Sequence, residues 1–397
     1  MGIIGCGLIG NKRAVVIKND PTSILRAASD VNVINAAVSL KQCGAGAGGR
    51  ACRDWRDMLN EEKLDAVIVA TPNKYLKKIS LWALQRGIHV LCEKPLGRNT
   101  WESERMVKVA GENGAILKTG FNHRHHPAIF KAHDLVSKGA IGPVYYARCI
   151  YGHGGRSGYE KEWRASRDVC GGGEMLDQGV HMVDLFRWFL GEFDEAYGIA
   201  PTFYWNMEVE DNAFALFRTA KGQVAQMHTS WTQWKNRFAF EVYGEAGYLI
   251  VNGLGGSYGT ETLTIGKRPI NRDRALLLAT PAFPPPSRGR NTGGKTETAS
   301  PSSCGDTGRR LSVSGTPTKK GGEGGAPIYL GCVPEEEAIV FDGPDQSWEL
   351  EWEEFKAAIR EKREPLGSGR DGLEANRMIA AAYLSAKENR PVKLSEL

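Results

Sequence analysis

Three short stretches of the sequence carry side chains that could handle a proton next to an alcohol. They are Cys92-Glu93-Lys94-Pro95, Thr71-Pro72-Asn73 and the glycine-rich stretch at residues 171–181. Oxidation of an alcohol needs a group that accepts the hydroxyl proton and a cationic or hydrogen-bonding neighbour that stabilises the developing alkoxide. A lysine, a histidine and a carboxylate together meet these needs. The candidates for this chemistry are Lys94, Asp177 and His181.

The spacing of these candidates is compatible with a shared site. Asp177 and His181 are four residues apart, so on a helix they would share one face beside the glycine turn. Lys94 ends an apolar strand, and ligands bind at the carboxyl ends of strands in doubly wound sheets. Taken alone, each residue also has an ordinary interpretation: Lys94 as a surface lysine, Asp177 as a helix cap and His181 as a core histidine.

A second motif, Gly5-Cys6-Gly7-Leu8-Ile9-Gly10, matches G-x-G-x-x-G between an apolar strand and a helix. In such a turn a Cβ would keep the backbone away from a pyrophosphate, whose charge lies at the N-terminus of the helix. Asp30 follows 20 residues after Gly10, where a carboxylate accepts hydrogen bonds from ribose hydroxyls. The pattern predicts a dinucleotide site, against the alternative of a chance glycine-rich turn.

Asp30 also bears on the choice between the two nicotinamide dinucleotides. Its charge would repel a 2′-phosphate, and Val31-Asn32 follows it instead of an arginine. NAD is therefore favoured over NADP. Fewer residues precede Ile3 than a first strand normally has, so we expect this strand to be short.

Short apolar runs alternate with amphipathic stretches over the first part of the chain. Strands are predicted at residues 24–28, 66–70 and 89–92, with helices from Gly10 and at residues 79–86. This alternation predicts a doubly wound parallel sheet with crossover helices. The N-terminal region, residues 1–120, is therefore interpreted as a Rossmann domain.

The remainder, residues 121–397, has a different pattern. Longer, aromatic-rich strands are predicted at residues 144–151, 213–217, 224–231 and 238–243, and helical spacing recurs within residues 348–386. These features predict a second α/β domain with a mainly antiparallel sheet, closed by two helices. The predicted fold class is thus α/β with two domains.

The composition argues against several classes of partner. Hydrophobic residues make up 41% and charged residues 24%, which is ordinary for a globular protein, and no apolar run is long enough to cross a membrane. The net charge is +5, but residues 284–327 hold seven lysines or arginines and three acids, so the rest is nearly neutral and no nucleic-acid-binding face is expected. Those residues are rich in Gly, Pro, Ser and Thr, and we expect a disordered insertion there.

No metal site is predicted. The eight cysteines show no paired spacing, which, with a start that lacks a secretory signal, favours a reducing cytoplasm. The run His123-Arg124-His125-His126 offers imidazoles, but in a strand these side chains would alternate between opposite faces, and no carboxylate lies nearby in the sequence. We interpret this run as an edge or hinge of the second domain.

Together these motifs carry a family resemblance. Glu93-Lys94-Pro95 follows the glycine motif, and Asp177-x-Gly179-x-His181 comes about eighty residues later. Trp163-Arg164 precedes the glycine-rich stretch, and Asp371-Gly372-Leu373-Glu374-Ala375 lies in the closing helix. The chain resembles the glucose-fructose oxidoreductase, inositol dehydrogenase and MocA family over nearly its whole length.

The resemblance implies a Rossmann domain joined to an α/β domain with an open, mostly antiparallel sheet, often used to form dimers or tetramers. Lys94 would orient the reacting hydroxyl, with a cis bond to Pro95, His181 would be the acid/base, and Asp177 its partner or a substrate ligand. The expected cofactor contacts are Gly5, Gly7, Leu8, Ile9, Gly10, Asp30, Thr71, Pro72, Asn73, Glu93 and Lys94. The expected substrate contacts are Arg124, Trp163 and Arg164.

The family resemblance implies hydride transfer between a nicotinamide dinucleotide and a hydroxyl carbon of a sugar, nucleotide sugar or cyclitol. One alternative is a glycosidase of the same fold that oxidises its substrate transiently with NAD. Another is a sensor of NAD or sugar without catalysis, although the presence of both Lys94 and His181 favours an enzyme.

Overall fold

The structure, a computed structural model, describes residues 1–44, 48–268 and 335–397. The insertion expected at residues 284–327 lies outside the described residues. Two sheets with helices packed on them make up the described part. Within these ranges, no helix combines the length and the hydropathy that a membrane span requires.

Six parallel strands form the first sheet, in the order β3-β2-β1-β4-β5-β6. They are β1 (Gly2–Ile4), β2 (Ala27–Ser29), β3 (Arg50–Cys52), β4 (Ala66–Val69), β5 (His89–Cys92) and β6 (Leu117–Thr119). The chain enters at β1 and winds outward in both directions, so the topological switch point lies between β1 and β4. In sheets of this kind a ligand binds beyond the carboxyl ends of the strands at that point.

Among the residues described up to Thr119, five α-helices connect these strands. They are α1 (Leu8–Asn19), α2 (Val33–Gln42), α3 (Trp55–Glu61), α4 (Asn73–Leu84) and α5 (Thr100–Glu112). The helix predicted at residues 79–86 is α4, which begins at Asn73 because Pro72 ends the preceding strand segment and occupies the cap position. The strand β1 is short, as expected from the sequence, with three residues.

Within the described residues, nine strands form the second sheet, in the order β14-β13-β12-β11-β7-β10-β9-β8-β15. They are β7 (Val144–Gly152), β8 (Glu195–Ile199), β9 (Asn212–Arg218), β10 (Val224–Ser230), β11 (Arg237–Gly244), β12 (Gly247–Asn252), β13 (Glu261–Lys267), β14 (Glu335–Phe341) and β15 (Val392–Lys393). All neighbours are antiparallel except β7 and β10. The expectation of a mainly antiparallel second sheet is therefore confirmed, with strand bounds within about two residues of those predicted.

Helices pack on one face of the second sheet, where Phe186, Phe217 and Phe240 lie in the core. In the described part of the chain, the other α-helices are α6 (Pro127–Ser137), α7 (Arg167–Cys170), α8 (Glu174–Asp177), α9 (Gly179–Leu190), α10 (Ser347–Glu361) and α11 (Gly369–Glu388). Both α10 and α11 were predicted from helical spacing.

The two C-terminal helices also contact the first sheet and its helices. Trp352 and Phe355 of α10 pack in the same core cluster as Ile3 and Ile17. α11 contacts β8 of the second sheet and α5 of the first. The C-terminal helix α10 therefore packs against β1 and α1, the strand and helix that flank the glycine motif.

Candidate active site

A cavity of about 1120 Å³ lies at the carboxyl ends of β1, β2, β4 and β5 and extends to the second sheet. Most of the site residues expected from the sequence line it. They are Gly5, Gly7, Leu8, Ile9, Asp30, Thr71, Pro72, Asn73, Glu93, Lys94, Trp163, Arg164, Asp177 and His181. Gly10 and Arg124 do not line it.

The three glycines of the motif have different structural roles. Gly5 has φ +90°, and a Cβ there would lie 2.5 Å from the carbonyl oxygen of Ala70. A Cβ on Gly10 would lie 2.0 Å from the carbonyl oxygen of Gly5. Gly7, the cap of α1, has open space where its Cβ would be. Gly5 and Gly10 thus allow the turn to close, whereas Gly7 leaves room at the helix N-terminus.

Asp30 is held in place at the end of β2. Its Oδ2 accepts a hydrogen bond from the Cys6 backbone N–H at 2.8 Å, and its Oδ1 accepts one from the Asn32 N–H at 2.9 Å. The carboxylate therefore lies beside the glycine turn and inside the cavity, where a ribose would need an acceptor.

The buried polar atoms and the space at the turn fit a dinucleotide. No side chain caps the N-terminus of α1, so the backbone N–H groups of its first turn are available to a ligand in the open space beside Gly7. The Thr71 hydroxyl is buried and has no hydrogen-bond partner among the described residues. An uncapped helix N-terminus, an acidic ribose acceptor and an unpaired hydroxyl at the next strand end match the parts of NAD.

At the other end of the cavity, Lys94 lies two residues after Cys92, the last residue of β5. Its Nζ donates to Asp177 Oδ1 at 2.6 Å and to the Asp177 carbonyl oxygen at 2.7 Å. The peptide bond from Lys94 to Pro95 is cis. The Lys94 ammonium is therefore fixed at a strand end that faces the cavity.

Asp177 is shared by two cations. Arg164 Nε donates to its Oδ2 at 3.2 Å, while Lys94 occupies its Oδ1. Burial acts to raise the pKa of Asp177, but the Lys94 and Arg164 charges outweigh it and hold that pKa below its usual range. Asp177 is consequently a carboxylate that orients both cations.

His181 presents a neutral imidazole to the same cavity. Burial, and next the positive charge of Lys94 and then of His126, lower the pKa of His181 well below its usual value. The ring stacks on His123 with centroids 3.8 Å apart, and the His181 Nδ1 has no hydrogen-bond partner in the described part of the chain. A neutral histidine of this kind can accept a proton from a hydroxyl.

The helix predicted to carry both Asp177 and His181 is interrupted. α8 ends at Asp177 and α9 begins at Gly179, so the two residues lie on successive helices, yet both line the cavity. The hydrogen bonds of the Asp177 carboxylate go to Lys94 and Arg164 rather than to His181.

Arg124, expected to contact substrate, is placed elsewhere. Its Nε and NH2 donate to Asp184 at 2.8 and 2.6 Å, and its NH2 lies 3.2 Å from Asp371. A buried guanidinium requires such carboxylate partners. Because both partners are away from the cavity lining, we do not retain Arg124 as a substrate contact.

Two expected cofactor residues have structural partners as well. Glu93 Oε1 accepts hydrogen bonds from Arg13 of α1, and Arg13 also lies 2.6 Å from Glu351 of α10. The Asn73 amide donates to the Cys170 carbonyl oxygen at 2.8 Å. Both residues are also among those that line the cavity.

The histidine run is not a strand, which was the conformation assumed in the argument against a metal site. Residues Asn122–His125 form a short 3₁₀ helix, so His123 and His126 both reach the cavity. His126 Nδ1 lies 3.0 Å from Glu261 Oε2. No cluster of His, Cys, Asp and Glu suited to a metal occurs among the residues that the structure describes.

Several cavity residues were missed from the sequence. Tyr151 of β7, Gln178 between α8 and α9, and Tyr258 after β12 line the substrate end. Burial is the first cause that raises the pKa of Tyr258 to about 12, so its hydroxyl remains a donor. The only sequence signal for Tyr151 was its position in a predicted aromatic-rich strand, and Tyr258 lies in a glycine-rich turn that gave none.

Comparison with known proteins decides the family. A model of an oxidoreductase family with an NAD-binding Rossmann fold matches residues 1–121. A model of the Gfo/Idh/MocA C-terminal domain matches residues 129–250, and one of the oxidoreductase-family C-terminal alpha/beta domain matches residues 342–394. The chain belongs to the Gfo/Idh/MocA family. It is therefore an oxidoreductase with an NAD-binding Rossmann domain, and the resemblance inferred from the sequence is confirmed.

Among curated members of the Gfo/Idh/MocA family, the levoglucosan dehydrogenase of Pseudarthrobacter phenanthrenivorans is 23% identical over 287 residues, which are 64% of this chain and 73% of that protein. The 1,5-anhydro-D-fructose reductase of Ensifer adhaerens is 32% identical over 205 residues, 51% of this chain and 61% of that protein. A structure of levoglucosan dehydrogenase with NADH and levoglucosan has a TM-score of 0.77 at 19% identity, covering 99% of this chain and 98% of the other. That likeness confirms the predicted fold class.

Proposed function

We propose that this chain transfers a hydride between NAD and a hydroxyl carbon of a sugar, nucleotide sugar or cyclitol. The observation that carries the proposal is the placement of Lys94, Asp177 and a neutral His181 in one cavity with the glycine turn. The curated relatives named above act, by their names, on sugar-like alcohols and ketones.

The fit at the glycine turn supports our assignment of the cofactor end of the cavity. The helix N-terminus at Gly7 and the Asp30 carboxylate would hold the pyrophosphate and the adenosine ribose, and residues 71–73, Glu93 and Lys94 would line the nicotinamide side. When bound, NAD accepts or supplies the hydride at the reacting carbon. Asp30 favours NAD over NADP. Arg53, which was not expected from the sequence to lie near Asp30, also lines the cavity.

The residues at the substrate end have distinct roles in the proposal. Lys94 Nζ donates a hydrogen bond to the reacting oxygen and stabilises negative charge on it. The imidazole of His181 takes the hydroxyl proton during oxidation and returns it during reduction. Asp177 is a positioning residue that holds Lys94 and Arg164 in place, while Arg164 and Trp163 contact other parts of the substrate.

We also propose the division of labour expected from the sequence, with cofactor binding in residues 1–120 and substrate binding in residues 121–397. Part of the second region, α10, returns to pack on the first sheet. The six cysteines among the described residues are free thiols, which supports a reducing cytoplasm.

A homodimer or homotetramer through the open face of the second sheet is the assembly that we propose. Tyr146, Phe214, Leu216 and Val224 are exposed on that face. An exposed apolar sheet face of this kind is typical of an interface.

The proposal is tested by following reduced-nicotinamide absorbance after mixing the protein with NAD or NADP and a panel of sugars, cyclitols and nucleotide sugars. A substrate-dependent rise that is lost in Lys94→Ala supports it. Cofactor binding without net reduction by any panel member would favour the NAD-dependent glycosidase or the sensor over a dehydrogenase.

A further inference from the structure

Three large aromatic side chains stand exposed near the substrate end of the cavity. Phe203, Tyr204 and Trp234 have 68%, 64% and 67% of their surface exposed, and we call them the aromatic platform. The rings of Tyr204 and Trp234 meet edge to face with centroids 5.0 Å apart. Clustered exposed aromatic residues are uncommon on a surface that binds nothing.

The loop that carries two of these rings is rigidly held. The buried carboxylate of Asp211 accepts hydrogen bonds from the backbone N–H groups of Phe203, Tyr204 and Trp205 at 2.8, 2.8 and 2.9 Å. The Trp205 indole N–H donates to the Trp231 carbonyl oxygen at 2.9 Å. The platform is therefore organised before any ligand arrives, which reduces the entropy cost of binding.

The platform is continuous with the cavity wall. A Cβ on Gly154 would lie 3.3 Å from the Trp234 ring, and one on Gly155 would lie 2.5 Å from the Trp205 ring. The residues on either side of this glycine pair, His153 and Arg156, both line the cavity. Trp234 of the platform therefore contacts a segment whose flanking residues line the cavity, so the platform lies next to the cavity wall.

Polar groups lie at the junction between cavity and platform. The Arg156 side chain is 63% exposed, and its NH2 lies 2.6 Å from Glu162 Oε2. Arg156 also lies over the ring of Tyr159, which contacts Trp205 edge to face at 5.6 Å. An exposed guanidinium and carboxylate beside aromatic faces match a sugar ring, whose hydroxyls need hydrogen bonds and whose C–H faces pack on aromatic rings.

We propose, building on the hydride-transfer function above, that the aromatic platform binds a second sugar ring attached to the sugar that reacts. The substrate class is then a disaccharide or other glycoside rather than a free monosaccharide. In this proposal the cavity of about 1120 Å³ holds the dinucleotide and the reacting sugar, and the second ring lies outside it, past the exposed Arg156 and beside the platform.

The test compares a monosaccharide with disaccharides that contain it, using glucose, maltose and cellobiose with NAD. In wild-type protein kcat/KM is higher for a disaccharide, and in Trp234→Ala and Tyr204→Ala the disaccharide-to-glucose ratio falls about tenfold, as expected for loss of one aromatic stacking contact. Trp101→Ala is the matched control, because Trp101 is 57% exposed and does not line the cavity, and its ratio stays at the wild-type value.

A binding measurement tests the platform as a sugar site independently of the proposed hydride transfer. Saturation-transfer NMR of each disaccharide with the NADH-loaded protein reports contact with the second ring whether or not turnover occurs. Second-ring signals that weaken in Trp234→Ala support the platform even if no substrate reduces NAD, in which case only the hydride-transfer proposal fails. Absence of second-ring contact, an unchanged ratio in both variants, or a smaller oligomer in sedimentation of Trp234→Ala overturns the platform as a sugar site.

Discussion

Among single residues, Asp177 allows a test of whether a side chain acts by positioning others or by contacting the substrate itself. Its carboxylate orients Lys94 and Arg164 and has a pKa held below the usual range, against burial, by their charges. In Asp177→Asn, loss of the charge frees both cations, and we expect kcat to fall about tenfold to a hundredfold, with little change in KM for NAD. Steady-state kinetics checks this.

Asp168→Asn serves as the control for that substitution, because Asp168 is 68% exposed and lies outside the cavity. Its kcat should match the wild type. A kcat for Asp177→Asn equal to that of the control would show that Asp177 does not position Lys94.

The environment of His181 predicts how kcat depends on pH. Its pKa lies well below 6.5, first because of burial and then because of Lys94, so the imidazole stays able to accept a proton below the pH at which a free histidine is protonated. The kcat of alcohol oxidation should therefore stay level as pH falls through 6.5, and His181→Ala should lose about 100-fold to 10,000-fold in kcat.

The pH profile of kcat measures this directly, with His228→Gln on the outer face of the second sheet as the control histidine. An acid limb centred near pH 6.5 in the wild type would place a solvated histidine, not His181, in the proton transfer.

At the scale of elements, the turn between β1 and α1 offers a matched pair of glycines. Gly7→Ala places a methyl group in open space, so the fold is kept but the pyrophosphate position is crowded. Gly10→Ala forces a methyl group to 2.0 Å from the Gly5 carbonyl oxygen. We expect Gly7→Ala to weaken NAD binding at least about tenfold with unchanged thermal stability, and Gly10→Ala to lose about 1–3 kcal/mol of stability.

Calorimetric NAD titration and thermal unfolding of both variants give the comparison. Unchanged NAD affinity in a folded Gly7→Ala protein would mean that the pyrophosphate does not lie at this helix N-terminus.

The contact of α1 with α10 makes a second prediction at this scale. Arg13 is buried between Glu93 and Glu351, and burial is the first cause that raises the pKa of Glu351, with Arg13 opposing it. Arg13→Met leaves two buried carboxylates without that cation and should cost about 3–5 kcal/mol of stability. A carboxyl group whose pKa is raised in the folded state stabilises the fold at pH values below its unfolded pKa, and this stabilisation is lost as the pH rises. The stability that Arg13→Met loses relative to the wild type should therefore be larger at pH 8 than at pH 5.

Urea unfolding at the two pH values checks the Arg13 prediction. Arg377→Met, a surface arginine with partners Glu104 and Glu374, is the control and should change stability by less than about 0.5 kcal/mol. An Arg13→Met deficit that is equal at both pH values would contradict the assigned ionic network.

Across the whole molecule, the sequence predicted the strands, helices and turns that have a pattern within their own segment. It did not predict contacts between residues that are far apart in the sequence. Apolar runs and glycine spacing indicate β5 and the turn before α1, because strand burial and backbone freedom act locally. Arg124 looked like a substrate ligand because its partners Asp184 and Asp371 are far away in sequence. Tyr258 reaches the cavity only through the packing of the second sheet, for which the sequence has no local pattern.

In the proposed reaction, hydride passes between the substrate carbon and NAD in the cavity lined by Lys94 and His181. The most direct measurement uses the best substrate of the panel with deuterium at the reacting carbon, and mass spectrometry of the reduced nicotinamide after one turnover. We expect one deuterium per reduced cofactor, and loss of this transfer in Lys94→Ala. Product formed without deuterium in the cofactor would contradict net hydride transfer as the reaction of this site.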